Sequence, residues 1–435
     1  MRIAVVGSGI AGLGSAHLLH RQGHAVTLFE AAPTLGGHTA TVDVTLDGVT
    51  APVDTGFLVF NDRTYPQLIA LFDELGVASV ASEMSFSVRV DERGLEWAGT
   101  DLASLFAQPA NALRPDFWRM LADIVRFNRA TTAMIAAGMV PAQSLAAYLD
   151  GEGYGAPFRD WYLLPMAAAI WSSPKQDILD FPLPTFVRFC HNHGLLSISN
   201  RPQWRTVVGG GREYVRRIAA TLPDVRVGTP VTRVRRGARG VDVDAGGATA
   251  HFDEIVLACH SDQALALLAD PSPSEARLLA KIRYQPNRVL LHTDAALLPK
   301  SRRAWAAWNY LAAADADGAR PVAVSYLINK LQPLPFTTPV VVTLNPPFEP
   351  EPSRLLQEFE YWHPLLDAAA VTAQQGIARM QGLRHTWYAG AWLGYGFHED
   401  GLRSAHAVAD GIAARAVSRD AELPGGLAEP ALAAA

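Results

Sequence analysis

The chain has 435 residues, of which 49% are hydrophobic and 18% are charged, and its formal net charge is −5. This composition is ordinary for a globular protein with a large core, and the slight negative charge disfavours nucleic acid as a partner. The two cysteines, Cys190 and Cys259, lie far apart in sequence, which excludes a disulfide framework and a cysteine-based metal site.

The same features suggest a compartment. Sparse cysteine favours a reducing environment, and a strand pattern that begins at Arg2 leaves no room for a signal peptide. Because no window of about 20 uninterrupted apolar residues occurs, we expect no spanning helix. We therefore expect a cytoplasmic protein, with peripheral contact at the inner membrane surface as a further expectation. Residues 421–435 are expected to form a disordered tail.

The start of the chain predicts a dinucleotide-binding βαβ unit. Residues 2–6 form a short apolar run suited to a buried parallel strand, and residues 25–29 form another. The glycine-rich turn after the first strand consists of Gly7, Ser8, Gly9, Ile10, Ala11 and Gly12. In such a turn the first glycine permits a tight bend and the second lets backbone amides approach a pyrophosphate. The third glycine lets helix and strand pack closely.

An acidic residue completes this unit. Glu30 directly follows the second strand, where a carboxylate hydrogen-bonds the ribose hydroxyls of a dinucleotide. An acid rather than an arginine at this position disfavours NADP. Strand, glycines, helix, second strand and acid all occur in order, so the unit predicts a nucleotide site rather than a phosphate-free βαβ fold.

Two later segments indicate which dinucleotide binds. They contain Gly36, Gly37, His38, Thr39, Gly56 and Phe57. The first segment resembles the second glycine pair of the flavin amine oxidase and phytoene desaturase superfamily, where the chain returns across the FAD pyrophosphate. The second resembles the part of that superfamily that passes close to the flavin ring. The resemblance implies that the cofactor is FAD.

A middle stretch extends the resemblance. It contains the triplet Gly209–Gly211, an apolar helix, and strands expected at 225–227, 230–234 and 254–258. In the superfamily, the residue at the position of Val231 contacts the adenine through its backbone. The triplet is not part of a GxGxxG motif that directly follows a strand. Its pattern therefore disfavours a separate NAD(P)-binding domain.

The C-terminal motif begins with a strand, continues through a glycine-rich loop and ends in an amphipathic helix. It resembles the C-terminal FAD motif of the superfamily, in which the helix N-terminus faces the flavin N1/O2 edge. The resemblance assigns cofactor contacts to Gly390, Ala391, Glu399, Asp400, Gly401 and Leu402. His398 and Tyr395 flank this helix and are the first candidates for catalytic residues, followed by Glu399.

The chain also departs from the superfamily pattern. Ala391 stands where an acidic residue is usual, and His38 stands where an arginine is common. The C-terminal motif contains no cysteine, which excludes the thioether flavin linkage of monoamine oxidases. We therefore expect FAD to be bound non-covalently.

The stretches between the FAD segments are expected to form a substrate domain. Helices are predicted at 115–127, 158–171 and 183–191, and strands at 287–293, 321–327 and 340–344. The apolar face of the first helix is either an ordinary core face or the wall of a lipid tunnel or membrane-surface patch. Trp171, Trp392 and Phe397 are the candidates for substrate contacts. We expect no metal site, because His191 and His193 point to different faces of a helix.

The predicted fold class is α/β, with a Rossmann-like FAD-binding domain of the glutathione-reductase type (amine oxidase branch) and an interleaved α+β substrate domain. The predicted FAD domain comprises residues 1–70, 205–265 and 380–420, and the predicted substrate domain comprises residues 71–204 and 266–379. Runs such as 53–61, 169–173 and 396–401 resemble a bacterial subfamily of predicted FAD/NAD-binding oxidoreductases. That subfamily is associated with modified fatty acid metabolism.

Three functions remain open at this point. The first is a desaturase or dehydrogenase of a lipophilic substrate, such as a methyl-branched or unsaturated fatty acyl chain of a phospholipid. Its electrons would then pass to oxygen or a quinone. The second is a soluble amine oxidase that releases peroxide, and the third is a non-catalytic protein that binds FAD or lipid.

Overall fold

A parallel β-sheet forms the centre of the nucleotide-binding part. The computed structural model describes residues 1–171, 175–197, 201–313 and 322–422. The strand order of this sheet is Asp224–Arg226, Ala25–Phe29, Arg2–Val6, Glu254–Leu257 and Thr386–Tyr388. Every neighbouring pair is parallel, and the central strands are buried almost throughout, as continuous apolar runs predict.

Both faces of this sheet are covered. Helices Ile10–Arg21, Arg212–Thr221 and His398–Glu422 share one apolar core with it. The other face packs against helix Ala368–Ala378 and an antiparallel sheet, whose strands are Val231–Gly237, Gly240–Ala245 and Ala248–Phe252. The Rossmann-like α/β prediction is therefore confirmed.

A seven-stranded mixed sheet forms the second layer. Its order is Leu355–Leu365, Arg283–His292, Val341–Leu344, Ala323–Leu327, Trp308–Ala312, Phe86–Val90 and Leu95–Ala98. Only the pair Trp308–Ala312 and Phe86–Val90 is parallel. The three strands predicted for this region are present, and Pro321, the first residue of one of them, lies outside the described residues.

Helices pack against this sheet. They are Leu102–Leu105, Pro115–Ala136, Leu145–Gly151, Ala156–Phe158, Leu164–Trp171, Lys175–Leu179 and Leu183–Asn192. A π-helical segment, Arg159–Leu163, makes the chain helical from Ala156 to Trp171, close to the predicted bounds. Phe117 and Phe127 are fully buried among these helices, so the face they share is a core face and not a membrane-surface patch.

Smaller elements connect the two parts. They are the hairpin Thr41–Leu46/Val49–Asp54, the strands Phe60–Asn61, Ser79–Ala81 and Trp204–Val207, and the helices Pro66–Leu75, Ser261–Leu267, Pro273–Leu279 and Ile328–Leu331. The described part of the chain contains no helix long and apolar enough to cross a bilayer. The C-terminal helix continues through Glu422, and the rest of the expected tail, residues 423–435, lies outside the described residues. The domain boundaries stay a prediction.

Candidate functional site

The glycine-rich turn has the geometry of a diphosphate site. Gly7 has a φ of +101°, and a Cβ there would lie 2.8 Å from the carbonyl oxygen of Ala258. A Cβ at Gly12 would lie 1.8 Å from the oxygen of Gly7, so both positions require glycine. A Cβ at Gly9 would meet nothing within 4 Å. Open space therefore lies over the N-terminus of helix Ile10–Arg21, where backbone amides favour an anion.

Glu30 is tied to this turn. Its carboxylate accepts hydrogen bonds from the Ser8 amide (2.8 Å), the Ser8 hydroxyl (2.5 Å) and the Ala32 amide (2.8 Å). The Ser8 oxygen in turn accepts from the Gly36 amide at 3.1 Å. A carboxylate offers about four lone-pair directions, so Glu30 keeps capacity for a ribose hydroxyl. The chain that leads to Val231 begins beside it, since the Thr229 amide donates to the Glu30 carbonyl.

The second glycine pair lies directly on the first turn. A Cβ at Gly37 would lie 3.2 Å from the Cα of Gly9, and Gly36 has a φ of +120°. The next residues then pair with the segment around Gly56, where the Phe57 amide donates to the His38 carbonyl at 2.9 Å. A Cβ at Gly56 would lie 2.0 Å from that carbonyl oxygen. The predicted cofactor segments of the N-terminal part thus converge.

Asp54 fastens this segment to the rest of the molecule. The buried carboxylate accepts from the Thr41 hydroxyl (2.6 Å), the Gly211 amide (2.9 Å) and the Gln332 side-chain amide (2.7 Å). Burial raises the pKa of Asp54 to about 6, although these hydrogen bonds act in the opposite direction. Three stretches far apart in sequence therefore meet at one carboxylate.

The C-terminal motif reaches the same place. A Cβ at Gly401 would lie 2.7 Å from the Cγ2 of Ile10, and the Leu402 side chain lies against Gly14. The Gly390 amide donates to the Ser404 hydroxyl at 2.9 Å. The start of the last helix therefore packs on the helix that follows the glycine-rich turn, so both ends of the chain lie together at the predicted site.

His398 is held firmly at the start of this helix. Its ring stacks on Phe57, with centroids 3.7 Å apart, and its Nε2 lies 3.0 Å from both the Thr39 hydroxyl and the Tyr214 hydroxyl. Burial lowers the pKa of His398 to about 3, with His38 contributing. An efficient general base has a pKa near the working pH. These contacts favour a structural role for His398, which joins the start of the last helix to Phe57, Thr39 and Tyr214. The sequence did not indicate Tyr214 as a partner of His398.

Two acids of the motif have structural partners. Glu399 accepts from the amides of Gln67 (3.0 Å) and Leu68 (3.1 Å), so it caps helix Pro66–Leu75. Asp400 accepts from the Phe397 amide and pairs with Arg403 at 3.1 Å. We therefore correct the expectation for Glu399: its contacts are those of a helix cap rather than of a base.

Phe189 is in contact with three of the residues that the sequence predicts for the site. Phe397 stacks on it at 5.1 Å between centroids, Trp171 lies at 4.6 Å and Tyr395 meets it edge-on at 5.7 Å. His193 stacks on Phe189 at 4.0 Å. We call Trp171, Phe189, Tyr395 and Phe397 the aromatic wall. Phe189 occurs in a helix with an apolar face, so its sequence context did not distinguish it from a core residue.

Trp392 is not part of the aromatic wall, which corrects its expected role as a substrate contact. Its indole N–H donates to the Cys259 carbonyl at 3.0 Å, and the buried ring packs in the core of the parallel sheet with Val6 and Tyr388. Ala391 and the glycine before it adjoin this tryptophan, since a Cβ at Gly390 would overlap the indole ring.

A cavity of about 260 Å³ opens beside the aromatic wall. Its lining consists of Ile135, Gly138, Val140, Arg188, His191, Asn192 and Tyr395. Burial and Asp400 raise the pKa of Tyr395, while Arg188 acts in the opposite direction. The cavity therefore combines apolar surface, a phenol that keeps its proton and an exposed guanidinium. A larger cavity, of about 430 Å³, lies at Lys300, Arg302 and Trp305, and none of its lining residues is a predicted site residue.

Three aromatic side chains surround His38, and of these the sequence indicated only His363, as either a pocket residue or part of a turn. The His38 ring centroid lies 5.2 Å from that of Tyr361, 5.4 Å from that of His363 and 6.3 Å from that of His260. The Tyr361 hydroxyl lies 2.8 Å from the Thr55 hydroxyl. Burial, followed by the proximity of His260, lowers the pKa of His38 to about 4. Among the described residues, no group of three or more His, Cys, Asp or Glu side chains could hold a metal ion.

The site as a whole fits a dinucleotide such as FAD. The open space at Gly9 and the helix N-terminus suit the diphosphate, and the buried, unpartnered Nε2 of His38 is a polar atom that a ligand could satisfy. Glu30 would hold the ribose and Val231 the adenine. Residues 401–402 would face the flavin, together with residues 56–57. Each of these assignments stays a prediction.

Comparisons with known proteins agree with this geometry. The model of the family described as flavin-containing amine oxidoreductase matches residues 10–301. A carotenoid phi-ring synthase of Streptomyces griseus is 30% identical over 297 residues, which are 62% of this chain and 54% of that protein. A putative flavin-containing monoamine oxidase, AofH, of Mycobacterium tuberculosis is 28% identical over 341 residues, 74% of this chain and 70% of that protein. The chain thus spans about half the length of the first relative and more of the second.

Solved structures show the same fold. A putative protoporphyrinogen oxidase from Exiguobacterium matches with a TM-score of 0.67 at 16% identity, over 95% of this chain and 99% of that chain. A fatty acid isomerase from P. acnes, described as producing CLA, matches with a TM-score of 0.66 at 16% identity, over 95% and 98%. A cyclohexylamine oxidase from Brevibacterium oxydans gives 0.66 at 16% identity, over 96% and 99%. At this identity the likeness concerns the fold alone.

The variant Gly9→Leu tests the diphosphate site. A Cβ at Gly9 would meet no protein atom within 4 Å, so we expect the variant to fold with an unchanged circular dichroism spectrum. It should bind FAD at least roughly tenfold more weakly, because the leucine fills the space over the helix N-terminus. The control is Gly151→Leu, at an exposed glycine with equally open surroundings. An unchanged Kd for FAD in Gly9→Leu, measured on the deflavinated protein, would contradict the site.

The variant Asp54→Asn tests the buried carboxylate. The folded-state pKa of Asp54 is raised from 3.8 to about 6, so its contribution to stability is present below pH 4 and is lost as the pH rises through 6. Between pH 4 and 7, wild type should therefore lose roughly 3 kcal/mol relative to the variant in urea unfolding. Asp43→Asn is the control, because Arg212 lowers the pKa of the exposed Asp43. A pH-independent difference between wild type and Asp54→Asn would contradict the assignment.

Proposed function

The chain belongs to the family of flavin-containing amine oxidoreductases and is an FAD-dependent oxidoreductase, and from this premise we propose that its substrate is lipophilic. The proposed substrate is a methyl-branched or unsaturated fatty acyl chain, which the enzyme desaturates or dehydrogenates. Bound FAD supplies a hydride acceptor, the flavin N5. The protein must therefore hold an unactivated C–H bond against the flavin and exclude water.

The aromatic wall and Arg188 are the observation that carries this proposal. Phe397 lies directly before the helix that is expected to face the flavin, and it stacks on Phe189, which Trp171 contacts in turn. Trp171 and Phe189 are buried in the core, whereas Tyr395 and Phe397 are only partly buried. These two rings can align a hydrocarbon chain by apolar contact. Arg188 lines the adjoining cavity, where a guanidinium can pair with a carboxylate or a phosphate. The cavity lining therefore includes apolar side chains, Ile135 and Val140, and a partner for an acidic head group.

The charges around the C-terminal loop argue against an amine. The carboxylates of Glu399 and Asp400 accept from backbone amides, and Asp400 also pairs with Arg403. A substrate ammonium in the cavity would meet the cation of Arg188 instead. Repulsion between like charges disfavours an amine that is protonated at neutral pH.

The relatives support both classes of substrate. The name of the Streptomyces griseus relative refers to a carotenoid, which is a lipophilic molecule. The name of the Mycobacterium tuberculosis relative refers to a monoamine oxidase, and this is the observation that keeps an amine as the second candidate. The position of Arg188 favours the first.

Peripheral contact with a bilayer would deliver such a substrate. Met139 is 73% exposed and lies between Gly138 and Val140, which both line the cavity. Leu113 and Trp118 are also exposed, near the other end of helix Pro115–Ala136. We extend the proposal to a phospholipid surface as the source of the acyl chain, with Met139 at the cavity entrance in contact with it.

Anaerobic mixing separates the two substrate classes. The holoprotein is mixed with free fatty acids, with phospholipid vesicles and with primary amines, and the flavin absorbance is followed. We expect bleaching with a lipid and none with the amines, because only the lipid matches the apolar wall and the guanidinium. Bleaching by amines alone would contradict the proposal, and so would the absence of bleaching with every lipid.

Arg188→Gln tests the head-group contact. Exposed ion pairs contribute about 0.2–1 kcal/mol, so KM for an acidic lipid should rise roughly two- to fivefold with little change in kcat. The methyl ester of the same lipid, which lacks the charge, should show no such change. Arg216→Gln is the control, since Arg216 is exposed and pairs only along its own helix with Glu213. An equal rise in KM for the acid and for the methyl ester would contradict a contact between Arg188 and the head group.

A further inference from the structure

The imidazoles of His38 and His260 flank the glycine-rich turn. His38 directly follows Gly37, whose backbone lies against Gly9 of the turn. His260 directly follows Ala258 and Cys259, whose backbone atoms lie where a Cβ on Gly7 would be. The two ring centroids lie 6.3 Å apart. Both side chains belong to segments that border the turn, where a bound diphosphate would need counter-charge.

A third imidazole comes from the seven-stranded sheet. His363 lies 5.4 Å from His38 between centroids, and its Nδ1 contacts the side-chain amide of Asn287 at 2.9 Å. The Nε2 of His38 is buried and has no hydrogen-bond partner. Buried polar atoms in native proteins are almost always satisfied, so this nitrogen indicates a missing ligand. We call His38, His260 and His363 the imidazole cluster.

Among the described residues, no arginine or lysine contributes to the pKa shifts of these three histidines. Titratable groups near the cluster include Glu30, Cys259, Asp262, Tyr284, Tyr361 and His398. The paired strands Arg283–His292 and Leu355–Leu365 also carry Arg283, Arg288, Glu358 and Glu360, of which Arg283 pairs with Asp367 and Arg288 with Glu349 and Glu358. Burial lowers the pKa of His38 to about 4, that of His363 to about 3, and that of His260 as well, and the rings disfavour each other's protonation. Asp262 acts in the opposite direction on His260 alone. Without a ligand the cluster is therefore neutral at physiological pH.

We propose that the imidazole cluster binds the FAD diphosphate and takes up about one proton for each FAD bound. This inference rests on the FAD cofactor of the family and is independent of the lipid substrate proposed above. An arginine is common at the position of His38 in the superfamily, and its guanidinium is always charged. In this chain the positive charge would instead form by protonation of an imidazole when the diphosphate binds. FAD retention then depends on pH.

The sign of this dependence follows from linkage. A nearby diphosphate favours the charged form of an imidazole, so the pKa of the cluster is higher in the complex than without FAD. Binding therefore tightens as the pH falls below the pKa of the complex. The limit is roughly a tenfold change in Kd per pH unit for each proton taken up. A permanent cation in place of His38 would give no such slope.

Dilution of the holoprotein measures the linkage. Released FAD is quantified by its fluorescence after equilibration between pH 6.5 and 8.5, and the proton uptake is counted by calorimetry in buffers of different ionisation enthalpy. Kd for wild type should rise at least roughly tenfold across this range. His38→Gln should weaken binding at pH 6.5 and flatten the slope, whereas His38→Arg should bind tightly at every pH. The control is His251→Gln, an exposed histidine that pairs with Asp242.

The outcomes separate the linkage from the cofactor. Wild type that binds FAD with the same Kd at every pH and takes up no proton would overturn the linkage and leave the family cofactor intact. A full slope in both His38→Gln and His38→Arg would also overturn it. Wild type without flavin at any pH would overturn the cofactor and the linkage together. A failure of every lipid to bleach the flavin would affect neither.

Discussion

The buried carboxylate of Asp54 joins the parts of the molecule that must meet to form the site. It accepts from a β-hairpin through Thr41, from the middle nucleotide-binding stretch through Gly211, and from the other layer through Gln332. A buried carboxylate is costly unless it is fully hydrogen-bonded, so these three stretches are held to one geometry. The neighbouring residues Gly56 and Phe57 are thereby fixed against the His38 carbonyl, and Phe57 supports the His398 ring. Asp54 thus links the parallel-sheet part to the seven-stranded layer, together with the contact between Thr55 and Tyr361.

The backbone of the nucleotide site could be predicted from the sequence because its causes are local. Gly7 and Gly12 are needed where backbone atoms come closer than any Cβ allows, and this requirement is visible in the spacing of the glycines. The largely apolar runs at 2–6 and 25–29 identified buried parallel strands. The convergence of Gly401 and Leu402 on helix Ile10–Arg21 came from a family resemblance, since nothing local in those residues points to a partner 390 positions away.

The roles of individual side chains could not be predicted in the same way. Glu399 stands at the start of a helix beside the expected flavin, and only the fold shows that it caps a different helix, Pro66–Leu75. Trp392 and Phe397 occur in the same aromatic loop, yet one enters the core of the parallel sheet and the other joins Phe189. His363 next to Pro364 could be read from the sequence as either a pocket residue or part of a turn, and only the fold shows that it lies in the strand Leu355–Leu365 beside His38. Such assignments depend on contacts between distant elements, which periodicity does not record.

The late position of strand Thr386–Tyr388 in the chain has a consequence for the order in which the site is completed during synthesis. Ribosomes add about 5–20 residues per second, so this strand and the helix after it emerge roughly 20–80 s after strand Arg2–Val6. Throughout that interval, helix Ile10–Arg21 lacks the cover of Leu402 and Gly401, and its apolar face is open to chaperones or to other nascent chains. The βαβ unit at the start of the chain is therefore completed only by residues near its end, such as Gly401 and Leu402. We expect FAD to bind only when translation is nearly finished.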